Sequence, residues 1–197
     1  TMAITNTDNP LVLFQEWFDR AAETEINEPT AVTLATASNT GRPSARMVLL
    51  KHYDDHGFVF YTNLDSRKGL ELRGNPFAAL LFHWKSLKRQ IRIEGRVELI
   101  SDDEADAYFA SRDRGSQIGA WASDQSRPMT GRFELEKQIA KFTAKFGVGA
   151  VARPPNWSGF RLHPDAFEFW DDGMFRLHER IVYTWQDDNW VTARLFP

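Results

Sequence analysis

The sequence predicts an α+β fold, an antiparallel β-barrel with flanking helices, on three observations. Many short apolar or alternating stretches are separated by turn signals such as "NTGRP" and "DDHG", the layout of hairpins rather than βαβ units. "RQIRIEGRVELI" alternates strictly, placing Ile91, Ile93, Val97 and Leu99 inward, as in a half-buried antiparallel strand. Apolar residues at helical spacing are confined to a few segments around this β-rich middle.

In chain order, "DNPLVLFQEWFDRAAETE" is a helix with Asp8 or Asn9 as cap, Pro10 in the first turn and a stripe of Leu11, Phe14, Phe18 and Ala21. "PTAVTLATAS" is a strand, and "NTGRP" turns into the strand "SARMVLLKHY". "DDHG" then folds that strand back onto "FVFYTN" as a hairpin. "TNLDSRKGLELRGNP" holds a helix capped by Asp65 or Ser66 and stopped at Gly74-Asn75-Pro76. "FAALLFHW" predicts a strand buried on both sides. Ser101 and Glu104 make a capping box for the helix "DDEADAYFASR". "RFELEKQIAKFTAKF" carries Leu135, Ile139, Phe142 and Phe146 at helical spacing and ends at Gly147. After "ARPPNW" come the strands "SGFRLH", "AFEFWDDGMFRLHERIVYTW" folded as a hairpin at Asp171 to Gly173, and "WVTARLF".

The bulk properties narrow the function. At 197 residues, without repeats or a linker-like stretch, residues 1–197 suit one well-filled domain, with 1–8 as a flexible N-terminal arm. Fifteen Phe, seven Trp and four Tyr suit a packed core with room for a flat ligand. A net charge of −3 gives no global basic field for nucleic acid, so local cationic clusters need local explanations. The absence of Cys excludes disulfides, thiolate metal sites and cysteine nucleophiles. No signal peptide and no apolar run long enough to span a bilayer is visible, so a soluble cytoplasmic protein without membrane partners is expected. Phosphate-loop, dinucleotide, zincin and nucleophile-elbow motifs are missing. His52, His56, His83, His163 and His178 show no metal spacing, so no metal is expected.

Four polar clusters remain. In "FRLHERIVY", read as a strand, Arg176, His178 and Arg180 share one face, with neighbours ~7 Å apart. Arg67 and Lys68 fall in the first turn of a helix, where the dipole disfavours cations by up to ~1 kcal/mol each. Solvated side chains tolerating that penalty, or a phosphate held by free N–H groups and two cations, both explain them. Tyr108 and Arg112 are i,i+4 on one helix face, and Ser116 follows just past its end; an exposed Arg on a Tyr is the plain alternative. "SARMVLLK" is an apolar strand bracketed by Arg46 and Lys51, which snorkelling cations would also explain. Gln125 and Ser126 fall in a loop, and Trp170 would by default be a core aromatic. Several such clusters on a mildly acidic chain suggest two anionic groups to be held.

With those residues in view, the sequence resembles the pyridoxine/pyridoxamine 5′-phosphate oxidase family of FMN-dependent split-barrel flavoproteins, from about Asp8 to Pro197. The most specific block is "FEFWDDGMFRLHER", an E-x-W followed by R-x-H-x-R. "RMVLLK", "FYTNLDSRK", "RQIRIEG" and "SRDRGSQIGAWASDQS" match in the same order. The resemblance implies a Greek-key split barrel whose C-terminal block, about 157–197, takes part in an obligate homodimer with FMN at the interface. It assigns FMN contacts to Arg46, Met47, Val48, Leu49, Leu50, Lys51, Tyr61, Thr62, Arg67, Lys68, Gln90, Gln125, Ser126, Trp170 and Arg180. Arg67 and Lys68 would serve the FMN phosphate. The substrate phosphate falls to Lys51, Tyr108, Arg112 and Ser116, and the substrate ring to Arg176, Leu177 and His178, with Arg176 and His178 as the catalytic pair. The implied reaction oxidises pyridoxamine 5′-phosphate or pyridoxine 5′-phosphate to pyridoxal 5′-phosphate, with O2 as acceptor and H2O2 as product.

Two departures and two rivals qualify the resemblance. Asp171 stands where many relatives carry Gln or a small residue, at the expected turn, where it would tune flavin contact. Glu179 replaces the commoner Asp inside R-x-H-x-R and points away from the proposed site face. "TMAITNTD" offers no basic arm to close over substrate. One rival is a split-barrel flavin oxidase acting on another aromatic substrate of the phenazine type, against which the complete set Lys51, Tyr108, Arg112 and Ser116 argues. The other is a non-catalytic FMN or pyridoxal-phosphate carrier, against which retention of Arg176 and His178 argues.

Overall fold

The computed structural model describes residue 4 and residues 7–197. Among the described residues five α-helices surround one nine-stranded antiparallel sheet. The helices are α1 (Pro10–Thr24), α2 (Arg67–Gly74), α3 (Asp102–Ser111), α4 (Arg114–Ala122) and α5 (Glu134–Phe146). The strands are β1 (Ala31–Ala37), β2 (Pro43–Leu49), β3 (His52–Asp54), β4 (Gly57–Asn63), β5 (Phe77–Trp84), β6 (Arg89–Leu99), β7 (Trp157–Asp171), β8 (Glu179–Gln186) and β9 (Asn189–Arg194). Among the described residues no helix is long and apolar enough to cross a membrane.

The sheet runs β2-β1-β5-β6-β7-β4-β3, with β8 added beside β7 and β9 beside β8. The curl comes from β7. All its described pairing with β6 lies on one edge, while on the other its first half pairs with β4 and its second half with β8. Such a strand serves two sheets at once, which is how a barrel splits. A bulge at Asp165 of β7, opposite Glu94 and Gly95, lets the paired strands follow the bend. A Cβ at Gly95 would lie 1.9 Å from the His163 carbonyl oxygen, so only glycine fits there. Pro164 pairs opposite this Gly, at a bulge that tolerates its missing N–H.

The barrel is filled from both walls. Leu13, Phe14, Trp17 and Ala21 of α1 plug one end against Phe58, Phe82, Ile93, Phe167 and Phe169. Each buried aromatic of this kind contributes roughly 1.5–3 kcal/mol relative to exposure. Asn9 is the α1 cap, its side chain accepting from the Leu11 N–H at 2.9 Å. The buried stripe is therefore rotated from the expected one: Leu11 and Phe18 are only half-buried, and Leu13 and Trp17 point inward.

Several other expectations are corrected. "SARMVLLKHY" is two strands, β2 and β3, which occupy opposite ends of the sheet order; the chain breaks direction at the buried Leu50. "FAALLFHW" is buried on one face only, since Phe77 and His83 are exposed. Leu99 does not point into the core; the alternation breaks at the strand end, and Ile100 is buried instead. "SGFRLH" and "AFEFW" form one continuous β7, because Asp165 is taken up as the extra, unpaired residue of a bulge opposite Glu94 and Gly95. Helix α4, capped by the Asp113 side chain, was not expected. On α5, Leu135 and Ile139 remain exposed, while Phe142 and Phe146 pack on Trp121.

The "FRLHERIVY" strand reading fails for its first half. Phe175 and Arg176 have φ of 57° and 65° and form a 3-10 turn with Met174, and strand geometry resumes only at Glu179. A left-handed pair ends period-two alternation, so Arg176, His178 and Arg180 do not share a strand face. Asp171 is not at a turn but ends β7, buried and paired with Arg89 at 3.0 Å. Of the arm 1–8, residues 1–3, 5 and 6 lie outside the described residues. Ile4 is buried, and its N–H donates to Glu179 Oε2 at 2.8 Å. Glu179 also pairs with Arg194.

Candidate functional site

A cavity of about 430 Å³ opens where β2, β4, α2, α3 and α4 converge. Its composition follows from the break at Leu50. Because β2 ends there, Met47, Val48 and Leu49 line one wall and Lys51, which bonds back to β4 through its N–H to Val59 at 2.9 Å, sits at the corner. Tyr61 and Thr62 come from β4, Lys68 from α2, Tyr108 from α3, Ser116 from α4, and Arg112 and Gln125 from the segments bounding α4. Eleven residues assigned separately from the sequence thus meet in one place: Met47, Val48, Leu49, Lys51, Tyr61, Thr62, Lys68, Tyr108, Arg112, Ser116 and Gln125.

The floor is aromatic. Tyr61 stacks on Tyr108 with centroids 3.8 Å apart and on Trp157 at 5.3 Å. Burial pushes the Tyr61 phenol up to about 12, with the Glu104 carboxylate adding to it. The Arg112 guanidinium lies 4.8 Å from the Trp157 centroid, a cation–π contact. Its Nη1 is buried and has no hydrogen-bond partner among the described residues. A desolvated guanidinium N–H without a partner is costly, and an anion in the cavity would satisfy it. Burial also lowers the Arg112 pKa, outweighing the charges of Tyr108 and Asp113. Ser116 lies past the end of α3, as expected, and in the first turn of α4, with its N–H donating to Asp113 Oδ1 at 2.8 Å.

On the α2 side, Ser66 caps the helix, which confirms Arg67 and Lys68 in its first turn. Lys68 Nζ donates to Gln125 Oε1 at 2.9 Å, and Thr62 Oγ1 donates to the same oxygen at 3.2 Å. Burial, then the nearby Arg46 charge, lowers the Lys68 pKa to about 8. Arg67 Nε pairs with Glu71 Oε1 at 2.9 Å, and Arg46 Nη2 with Glu71 Oε2 at 3.2 Å. Arg46 and Arg67 adjoin the cavity rather than line it, and the Leu50 side chain goes to the core. Ser126, at φ 71°, is exposed beyond the cavity.

The remaining assigned residues form a second group. Register across β6, β7 and β8 aligns Gln90 with Trp170 and Trp170 with Arg180, and the three line a separate cavity of about 270 Å³. Arg180 Nε is held by Glu168 Oε1 at 2.8 Å, and Trp170 faces the His178 ring at 4.6 Å. The imidazole Nδ1 lies 3.1 Å from Asp172 Oδ1. A Cβ on Gly173 would meet the Leu177 carbonyl oxygen at 2.0 Å, so glycine is what lets this loop close on itself. Arg176 and Leu177 project from the loop into neither cavity, and Leu177 is 72% exposed.

Two participants escaped the sequence reading. Trp157, which backs Arg112, follows "ARPPN", read only as a connection. Glu71 is legible as an i,i+4 partner of Arg67, but its burial and its bond to Arg46 are not.

Comparison with known proteins agrees with this layout. Residues 18–146 match the family model described as pyridoxamine 5′-phosphate oxidase, and residues 157–197 match the pyridoxine 5′-phosphate oxidase C-terminal dimerisation region. The pyridoxine/pyridoxamine 5′-phosphate oxidase of Rhodospirillum rubrum is 59% identical over 194 residues, covering 96% of each chain. That of Agrobacterium fabrum is 55% identical over 195 residues, covering 98% of this chain and 95% of its own. Among solved structures, PhzG from Burkholderia lata 383 in complex with tetrahydrophenazine-1-carboxylic acid superposes with a TM-score of 0.92 at 34% identity, covering 97% of this chain and 94% of that one. A pyridoxamine 5′-phosphate oxidase-related, FMN-binding protein of Nostoc punctiforme has a TM-score of 0.73 at 17% identity over 93% and 97%, and shares the split-barrel fold. On sequence along nearly its whole length, this chain belongs to the pyridoxine/pyridoxamine 5′-phosphate oxidase family.

Proposed function

We propose that this chain is an FMN-dependent oxidase that converts pyridoxamine 5′-phosphate and pyridoxine 5′-phosphate to pyridoxal 5′-phosphate with O2 as acceptor. The observation that carries the reading is Arg112 Nη1, buried and unpartnered beside Lys51, Tyr108 and Ser116 in one cavity. These four groups bind the substrate phosphate. Arg46, Arg67 and Lys68 bind the FMN phosphate, a donor set that suits a dianion. When bound, FMN supplies the two-electron acceptor for the substrate carbon and passes the electrons to O2 as H2O2.

The protein's part is to position. The stack of Tyr61, Tyr108 and Trp157 presents a flat, water-excluding floor, and Arg112 fixes one end of the substrate. Arg176 and His178 orient the ring, and Gln90, Trp170 and Arg180 contact the flavin. The phosphate-binding group around Arg112 and the group Gln90, Trp170 and Arg180 line different cavities with no lining residue in common, and the chain carries its family's dimerisation region. A homodimer in which each site draws one group from either subunit reconciles them. The 34% identity to PhzG supports the fold, whereas the phosphate set favours the phosphorylated vitamer over a phenazine precursor.

The test is direct. The purified protein is expected to be yellow, to sediment near twice its 22.7 kDa chain mass, and to form peroxide with pyridoxamine 5′-phosphate under air. A flavin-loaded protein that forms no peroxide with either phosphorylated vitamer would refute the oxidase and leave a carrier.

A further inference from the structure

Glu71 is a carboxylate in α2 with only 8% of its surface exposed, and none of the family's expected contacts falls on it. All its bonds go to groups around the proposed flavin-phosphate site. Oε1 accepts from Arg67 Nε at 2.9 Å; Oε2 accepts from Thr36 Oγ1 at 2.5 Å, Ser44 Oγ at 2.6 Å and Arg46 Nη2 at 3.2 Å. Arg46 is further held by the Leu34 carbonyl at 3.2 Å and by Ser44. Burial pushes the Glu71 carboxyl up, but the hydrogen bonds from Ser44, Thr36, Arg67 and Arg46 outweigh it and hold it at about 2. It is therefore an anion at any working pH, buried next to a site built for anions.

A negative charge there opposes phosphate binding, so its presence needs a compensating benefit. One is geometry. Four of the five Arg46 N–H groups are taken, by the Leu34 carbonyl, Thr36, Ser44 and Glu71, and Glu71 takes the Arg67 Nε–H. Both guanidinium groups are thus fixed in orientation, and Arg46 Nε–H and the terminal Arg67 nitrogens are left as donors. The other is charge. Arg46, Arg67 and Lys68 with Glu71 sum to +2, which matches a phosphate monoester of about −1.5 to −2. We propose that Glu71 is a positioning residue that sets Arg46 and Arg67 for the flavin phosphate and so makes the site select FMN over unphosphorylated flavin. The inference rests on the assignment of Arg46, Arg67 and Lys68 to that phosphate. Its plain competitor is that Glu71 only ties α2 to β1 and β2 through Thr36 and Ser44.

Full-length protein stripped of flavin is titrated with FMN and, separately, with riboflavin, following flavin fluorescence. The proteins compared are wild type, Glu71→Gln, Glu71→Ala and Arg67→Ala, each with its melting temperature. Glu71→Gln keeps the volume and is expected to weaken FMN by about tenfold, the scale of one misplaced charge-assisted contact, while riboflavin affinity stays within about twofold. Glu71→Ala should exaggerate the same asymmetry; if it does not fold, Glu71→Gln decides. Equal losses for both flavins would make Glu71 a structural tie, and unchanged FMN affinity would leave it no role; either overturns the proposal. If Arg67→Ala weakens FMN and Glu71→Gln does not, only the role of Glu71 falls. If Arg67→Ala leaves FMN affinity unchanged, the phosphate assignment falls and the inference with it.

Discussion

The cavity beside α2 and the β7–β8 face hold the two halves of the expected site, and they are built differently. In the first, four cations are gripped or enclosed: Arg46 and Arg67 by Glu71, Lys68 by Gln125, Arg112 by the Trp157 face. In the second, Trp170 and Arg180 are fixed by strand register and by Glu168, but the loop between them leaves Met174, Phe175 and Leu177 exposed. Large apolar side chains at the tip of a loop flanking a site imply a surface meant to be covered. Under the proposed homodimer, a single chain completes the phosphate end of its site and the dimer partner supplies the ring end. Phosphate binding should then respond to local substitutions one at a time, whereas ring chemistry should respond to assembly.

The largest effect that would break this contrast is on the cofactor. Replacing Arg67 and Lys68 together with Ala removes two charge-assisted contacts of roughly 1.5–3 kcal/mol each. FMN affinity is expected to fall by about two to four orders of magnitude with the fold intact, as read by circular dichroism. Unchanged affinity would place the flavin phosphate elsewhere.

Next comes the substrate. Arg112→Ala is expected to raise KM for pyridoxamine 5′-phosphate by about ten- to 150-fold, one such contact, and to change turnover of an unphosphorylated vitamer little. Arg176→Ala should instead lower kcat, because misorienting the reacting carbon weakens the transition state more than the ground state. Neither variant should lose flavin absorbance. Equal losses of phosphorylated and unphosphorylated substrates in Arg112→Ala would defeat the phosphate assignment, and an Arg176→Ala enzyme with normal kcat would make the loop structural.

The smallest effect sharpens the electrostatics. Lys68 has its pKa lowered to about 8 by burial and by Arg46, and a bound phosphate favours its charged form. FMN binding therefore takes up a proton once the pH exceeds about 8, and affinity should weaken by several-fold between about pH 7.5 and 9. Riboflavin affinity should not follow, and Lys68→Ala should flatten the FMN profile. Folding has the opposite slope: the unfolded chain holds its Lys68 proton up to the ordinary value of 10.5, so from about pH 8 to 10.5 this group adds stability to the flavin-free protein as pH rises.

Much of this was legible in the sequence, because period and capping are local. The alternation of "RQIRIEGRVELI", the stop at Gly74-Asn75-Pro76 and the five ordered family blocks determined an antiparallel barrel, every flanking helix but α4, and the residues worth watching. Arg67 and Lys68 were visible as an anomaly because a helix dipole acts within one turn. What the sequence could not decide depended on contacts between distant segments. Whether "SARMVLLKHY" continues or breaks was settled by where β4 could receive Lys51, and whether Asp171 turns or is buried was settled by Arg89, 82 residues away. The left-handed pair Phe175 and Arg176 carries no glycine to announce it and is held by the loop around Gly173. Only the tertiary structure placed Glu71 beneath two arginines and left Arg112 Nη1 without a partner, since burial and hydrogen-bond satisfaction belong to the packed whole and not to any window of the chain.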